Sequence, residues 1–178
     1  MNLLLITLAL CCALALLPEP PSQAFRAEAV THTGTIRLEG PIQRVFPFFT
    51  PIGEKDWAEG WDPQPLYPSD GAPCEGMVFR TLGDLPMLWV ATHYDAARHE
   101  ITYVTVTHET LVRRIAITVR EQDGATLATV TYTFTGLSPE GNQLVRDYTA
   151  QVHSDRIQQW EHAINHLLKT GHRLPHHG

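Results

Sequence analysis

The spacing of apolar residues changes along the chain, and each change marks an element. An uncharged apolar run extends from Leu3 to Leu17. Between Thr33 and Glu39 polar and apolar residues alternate with period two, the pattern of a strand with one covered face. Gly40-Pro41 ends that strand, and Pro41 suits the first position of a helix that carries Val45, Phe46, Phe48 and Phe49. Thr50-Pro51 interrupts it, so a short helix in two pieces is expected. From residue 60 to 76, Pro63, Pro65, Pro68 and Pro73 are interspersed with Gly60, Gly71 and Gly76, which predicts a long braced loop with no regular structure over most of its length.

Strand-like runs follow at Met77–Thr81, Leu88–Tyr94, Glu100–Thr107, Leu111–Arg120 and Thr126–Thr135, separated by short turn sequences of which Asp123-Gly124 is the strongest hairpin signal. Such short connections cannot hold the crossover that a parallel pair needs, so the sheet is antiparallel. The last element is helical: Ile157, Trp160, Ile164, Leu167 and Leu168 share one face, Ser154 can cap the start, and Gly171 stops it. Leu144, Val145, Tyr148 and Val152 suggest an earlier helical turn joined with a change of phase. The fold class is therefore α+β: a curved antiparallel sheet of about six strands, too few to close as a barrel of about eight does, with the long C-terminal helix as its lid.

Composition narrows the function classes. A chain of 178 residues with 43% hydrophobic and 18% charged residues is a globular protein of ordinary make-up. A body of this size buries roughly 68–70% of its unfolded surface in one domain. The formal net charge of -6 and the scattered Lys and Arg argue against a nucleic-acid partner. The run from Leu3 to Leu17 is short for a membrane span but fits the core of a signal peptide, and Ser22-Gln23-Ala24 places small residues where a signal peptidase cuts. Residues 1–24 are read as a leader, 25–30 as a short N-terminal segment, 31–171 as the domain and 172–178 as a disordered tail. Export to the periplasm or beyond is expected. Because Met1-Asn2 supply no Lys or Arg, an uncleaved anchor, or a start placed too early, is the alternative. Cys74 stands alone after the leader, so no internal disulfide is available.

The segments Thr35–Phe46, Gly60-Trp61-Asp62-Pro63, Gly76–Thr81, Trp89–Asp95 and Gln159–Asn165, in this order of elements, resemble the START-like or SRPBCC superfamily, which includes polyketide cyclases and plant ligand-binding allergens. The resemblance covers about residues 31 to 171 and looks most like bacterial members of unassigned function. It implies a helix-grip fold with a cavity between sheet and C-terminal helix, and a small hydrophobic ligand such as a lipid, sterol or polyketide. It carries no shared catalytic signature, so the resemblance implies no catalytic residue and no cofactor.

Strand parity and helix phase select the residues expected to line the cavity: Trp61, Phe79, Trp89, His93, Tyr103, Ile117, Tyr132, Phe134, Trp160 and Ile164. Trp57, Trp61 and Phe79 are placed at its mouth. Each could equally fill a close-packed core. Arg113 and Arg114 alternate across a strand, so one could point inward and hold a ligand carboxylate, the alternative being a solvent-facing charge. The alternatives are a cyclase- or dehydratase-like enzyme, with His93, Glu109, Tyr103 and Arg80 as its conceivable polar groups, and an envelope interaction module with a filled core and a contact loop from Trp57 to Pro73. His162 and His166 have metal-ligand spacing but fall away from the apolar face, so no metal is expected. Contact with a membrane is expected only transiently or through an uncleaved leader, and the oligomeric state is open.

Overall fold

The computed structural model describes residues 24–82 and 86–175. The leader from Leu3 to Leu17 lies outside the described residues, as do His176 and His177. Seven antiparallel strands form one sheet: β1 (Ala29–Leu38), β2 (Pro63–Tyr67), β3 (Val78–Thr81), β4 (Met87–Asp95), β5 (Glu100–Thr107), β6 (Leu111–Gln122) and β7 (Ala125–Gly136). They are ordered β1-β7-β6-β5-β4-β3-β2. The strand beyond the expected six is β2, which lies in the proline-rich stretch read as a loop. Its place at the sheet edge explains this, because the outer side of an edge strand has no partner for the N–H that Pro63 and Pro65 lack.

Helix α1 (Ile42–Val45) follows β1 and runs directly into a 3-10 helix at Phe46–Phe49, with a second 3-10 helix at Gly53–Asp56. Pro41 sits at the N-cap, one position before the expected start. Helices α2 (Pro139–Asp147) and α3 (Ala150–Thr170) complete the chain. Ser138 caps α2 by accepting from the Gly141 N–H at 3.1 Å, and Thr149, rather than Ser154, caps α3 by accepting from the Val152 N–H at 3.3 Å. Gly171 ends α3 in the left-handed region at φ 75°, as expected for a helix stop. The tail does not fray at once: Arg173 donates to the Lys55 carbonyl, back on the second 3-10 helix.

The two faces of the sheet follow the alternation in the sequence. On β7, Ala128, Val130, Tyr132 and Phe134 are buried. Thr129, Thr131 and Thr133 face the other way and pair through their hydroxyls with Thr35, Thr33 and Thr31 of β1 at 2.9–3.1 Å. The outer edge of β1 is not left open. Asn142 of α2 accepts from the Glu28 N–H at 2.9 Å and donates to the Arg26 carbonyl at 2.8 Å. Asn165 of α3 does the same for the Glu39 N–H at 2.8 Å and the Arg37 carbonyl at 2.9 Å. These amides stand in for a neighbouring strand, which protects an edge from pairing with another chain.

Candidate functional site

Between the sheet and α3 lies a cavity of about 240 Å³, lined by the rings of Phe49, Trp57, Trp61, Phe79, Trp89, Tyr103, Tyr132 and Trp160, by Pro51, Met87, Ile115 and Ile117, and by the charged side chains Glu54 and Arg156. Its walls are well ordered by ring contacts. Phe79 stacks on Trp89 at 5.6 Å, Trp61 meets both rings edge-on, and Trp57 meets Trp160 edge-on at 5.5 Å. Three of the four tryptophans of the wall have their N–H bonded within the protein: Trp57 Nε1 donates to the Phe48 carbonyl, Trp61 Nε1 to the Pro51 carbonyl and Trp89 Nε1 to Thr81 Oγ1. The cavity surface is therefore chiefly the apolar faces of the rings.

Seven of the residues expected to line a cavity do so: Trp61, Phe79, Trp89, Tyr103, Ile117, Tyr132 and Trp160. Phe134 and Ile164 are buried beside it in the core, with Phe134 stacked on Tyr148 at 4.0 Å. His93 is a correction. The β4–β5 register shifts between Ala91 and His93, so a bulge breaks the parity that would have carried Trp89 and Ala91 on to His93. His93 instead lies half-exposed between Glu75 and Glu100, at 3.4 Å and 3.6 Å. Arg80 pairs with Gln64 on the sheet edge, and Glu109 sits exposed in the β5–β6 turn with φ 48°, so neither reaches the cavity. An interaction module is expected to have a filled core, and here a cavity lies among the buried aromatic residues.

The residue that sequence reasoning missed is Glu54. It sits on the second 3-10 helix, and among the described residues its carboxyl has no hydrogen-bond or ion-pair partner. Burial among the rings raises its pKa from 4.5 to about 8, so at neutral pH it is a protonated acid that can donate a hydrogen bond. Glu54 is half-buried by accessible surface because it faces the cavity itself. Tyr103 and Tyr132 lie near enough for its charge to add to the effect of burial, which holds both phenols above their ordinary value. No sequence pattern marks this carboxylate, since only the packing of the short helices against the sheet turns it inward.

Arg113 takes the inward side of β6, in phase with the buried Ile115 and Ile117, while Arg114 is exposed. Among the described residues, no three His, Cys, Asp or Glu side chains are grouped as metal ligands, and no helix is long and apolar enough to cross a membrane.

No protein-family model matches the sequence, and no curated protein matches it. Solved structures do share the architecture. Ara h 8.0201 is 17% identical over 77% of this chain and 98% of its own, with a TM-score of 0.54. CalU16 from Micromonospora echinospora is 14% identical over 84% of this chain and 87% of its own, also at 0.54. Norcoclaurine synthase from Thalictrum flavum is 10% identical over 82% of this chain and 88% of its own, again at 0.54, and has been solved in complex with dopamine and hydroxybenzaldehyde. The chain therefore has a helix-grip fold, the architecture that these solved structures share.

Proposed function

We propose that this protein binds or carries a small hydrophobic molecule, such as a lipid, sterol or polyketide-like compound, in the cavity between its sheet and α3. The observation that carries the reading is the cavity itself. Protein cores pack without voids much larger than a water molecule, whereas this one leaves about 240 Å³ bounded by aromatic faces. That volume falls just below the ~300–1,000 Å³ usual for ligand pockets, so a small ligand is favoured. The complex of norcoclaurine synthase with dopamine and hydroxybenzaldehyde supports a small-molecule partner for a protein of this fold. Native mass spectrometry of the purified protein, followed by organic extraction, tests the reading. A stoichiometric adduct that is lost in folded Tyr132→Ala and Trp160→Ala variants supports it, and a ligand-free protein that takes up no hydrophobic dye refutes it.

One observation favours a second reading, proton transfer on the bound molecule in the manner of a cyclase or dehydratase. A neutral carboxylic acid with a pKa of about 8, facing an apolar cavity, is poised to give or take a proton near physiological pH. Under that reading Glu54→Gln keeps ligand affinity and abolishes turnover. Export through the apolar leader belongs to the same proposal, and N-terminal sequencing of the secreted protein, expected to start at Phe25, checks it.

A further inference from the structure

Two guanidinium groups converge beside the cavity on one aromatic platform. Arg113 Cζ lies 5.6 Å from the centre of the Phe134 ring. Arg156 Cζ lies 5.6 Å from that of Tyr132 and 5.7 Å from that of Tyr148. The rings are contiguous: Phe134 stacks on Tyr148 at 4.0 Å and meets Tyr132 at 6.0 Å. Arg156 is exposed and also lines the cavity, so the cavity reaches the surface beside it. Arg113 is half-buried, and its Nη1 has only neutral partners, Met87 Sδ at 3.1 Å and Thr107 Oγ1 at 3.2 Å. Met87 is itself part of the cavity wall.

The chain does not lack carboxylates, having 19 Asp and Glu against 13 Lys and Arg. Lys55, Arg98, Arg120 and Arg146 each have an acidic partner. Among the described residues Arg113 and Arg156 have none, although they lie close enough to repel each other. Burial, with the Arg156 charge added, holds the Arg113 guanidinium below its ordinary pKa. A half-buried cation facing a second cation is unfavourable unless an anion joins them. Guanidinium groups suit a carboxylate because their N–H donors match its two oxygens. Glu54, also on the cavity wall, is neutral at pH 7 and offers such an anion no repulsion.

We propose that the ligand is an organic acid whose apolar, ring-containing body fills the cavity and whose carboxylate bridges Arg113 and Arg156 at its mouth. The proposal rests on the small-molecule reading above and narrows it to a chemical class. Calorimetric titration of the purified protein at pH 7 and low salt, with 2-naphthylacetate and with the neutral 2-naphthaleneethanol, tests it. The wild type is expected to bind the acid at least about tenfold more tightly than the alcohol. Arg113→Met and Arg156→Met, which keep an unbranched apolar stem, should each weaken the acid about tenfold and change the alcohol by less than about twofold. Equal or tighter binding of the alcohol by the wild type overturns the proposal and leaves the cavity reading standing. Parallel loss of both probes in the folded variants also overturns it. Failure of the wild type to bind either probe removes the cavity reading as well.

Discussion

The Tyr103 hydroxyl donates to the Phe49 carbonyl at 3.1 Å, and this bond ties the middle of the sheet to the short helices that present Glu54. Both residues line the cavity. In Tyr103→Phe the buried carbonyl loses its partner, which costs about 1–2 kcal/mol. Thermal unfolding should show the midpoint lowered by about 2–8 °C for a chain of this size. An unchanged midpoint would mean that the bond does not hold the helices in place.

Stability should fall as pH rises, because of Glu54. Its folded pKa of about 8 exceeds the ordinary 4.5, so between these values the folded state holds a proton that the unfolded chain has released. Unfolding therefore becomes easier from about pH 4.5 upward and levels off above pH 8. Urea titrations at pH 5, 7 and 9 measure the slope. Glu54→Gln should flatten this part of it and raise stability at pH 9 by about 1–3 kcal/mol, since no carboxylate then has to ionise among the rings.

Removing an edge amide should open β1 locally. Asn142→Ala leaves the Glu28 N–H and the Arg26 carbonyl without their partner and costs about 1–3 kcal/mol, because Asn142 is buried. Asn165→Ala acts at a more exposed place, on the Glu39 N–H and the Arg37 carbonyl, and should cost less. Amide hydrogen exchange gives the local readout. Exchange should quicken at Glu28 in the first variant and at Glu39 in the second, each without change at the other position.

Gly141 stands where α2 meets the β5–β6 turn, and a Cβ built there would lie 1.8 Å from the Thr110 carbonyl oxygen. Gly141→Ala should therefore destabilise by about 1–3 kcal/mol even though alanine favours a helix by about 1 kcal/mol. Denaturant unfolding decides between the two effects. A net gain would show that α2 can move away from the sheet at little cost.

Much of this architecture is legible from periodicity alone. The alternation of Val130, Tyr132 and Phe134 with threonines survives as the two faces of β7, and the spacing of Ile157, Trp160, Ile164 and Leu167 is the packed face of α3. The reading fails where a local rule is overridden by the surroundings. His93 leaves the cavity side because a bulge adds a residue to β4, which no count of alternate positions reveals. Pro63 and Pro65 form a strand because it is an edge strand, a property of sheet order rather than of the segment. Glu54 shares its short 3-10 helix with Asp56 and nothing in the sequence sets the two apart, because the environment of Glu54 exists only after Trp57, Tyr103 and Tyr132 have met around it.

The central claim is that the space among these rings is a binding site, and filling it tests that claim most directly. The uncharged dye N-phenyl-1-naphthylamine would be titrated into the wild type and into Ile117→Trp, whose added bulk projects into the cavity, with circular dichroism confirming that both are folded. Saturable binding of one dye per chain, weakened at least about tenfold in the filled variant, is the result predicted here. No saturable binding to the wild type, or equal binding to both proteins, would contradict it.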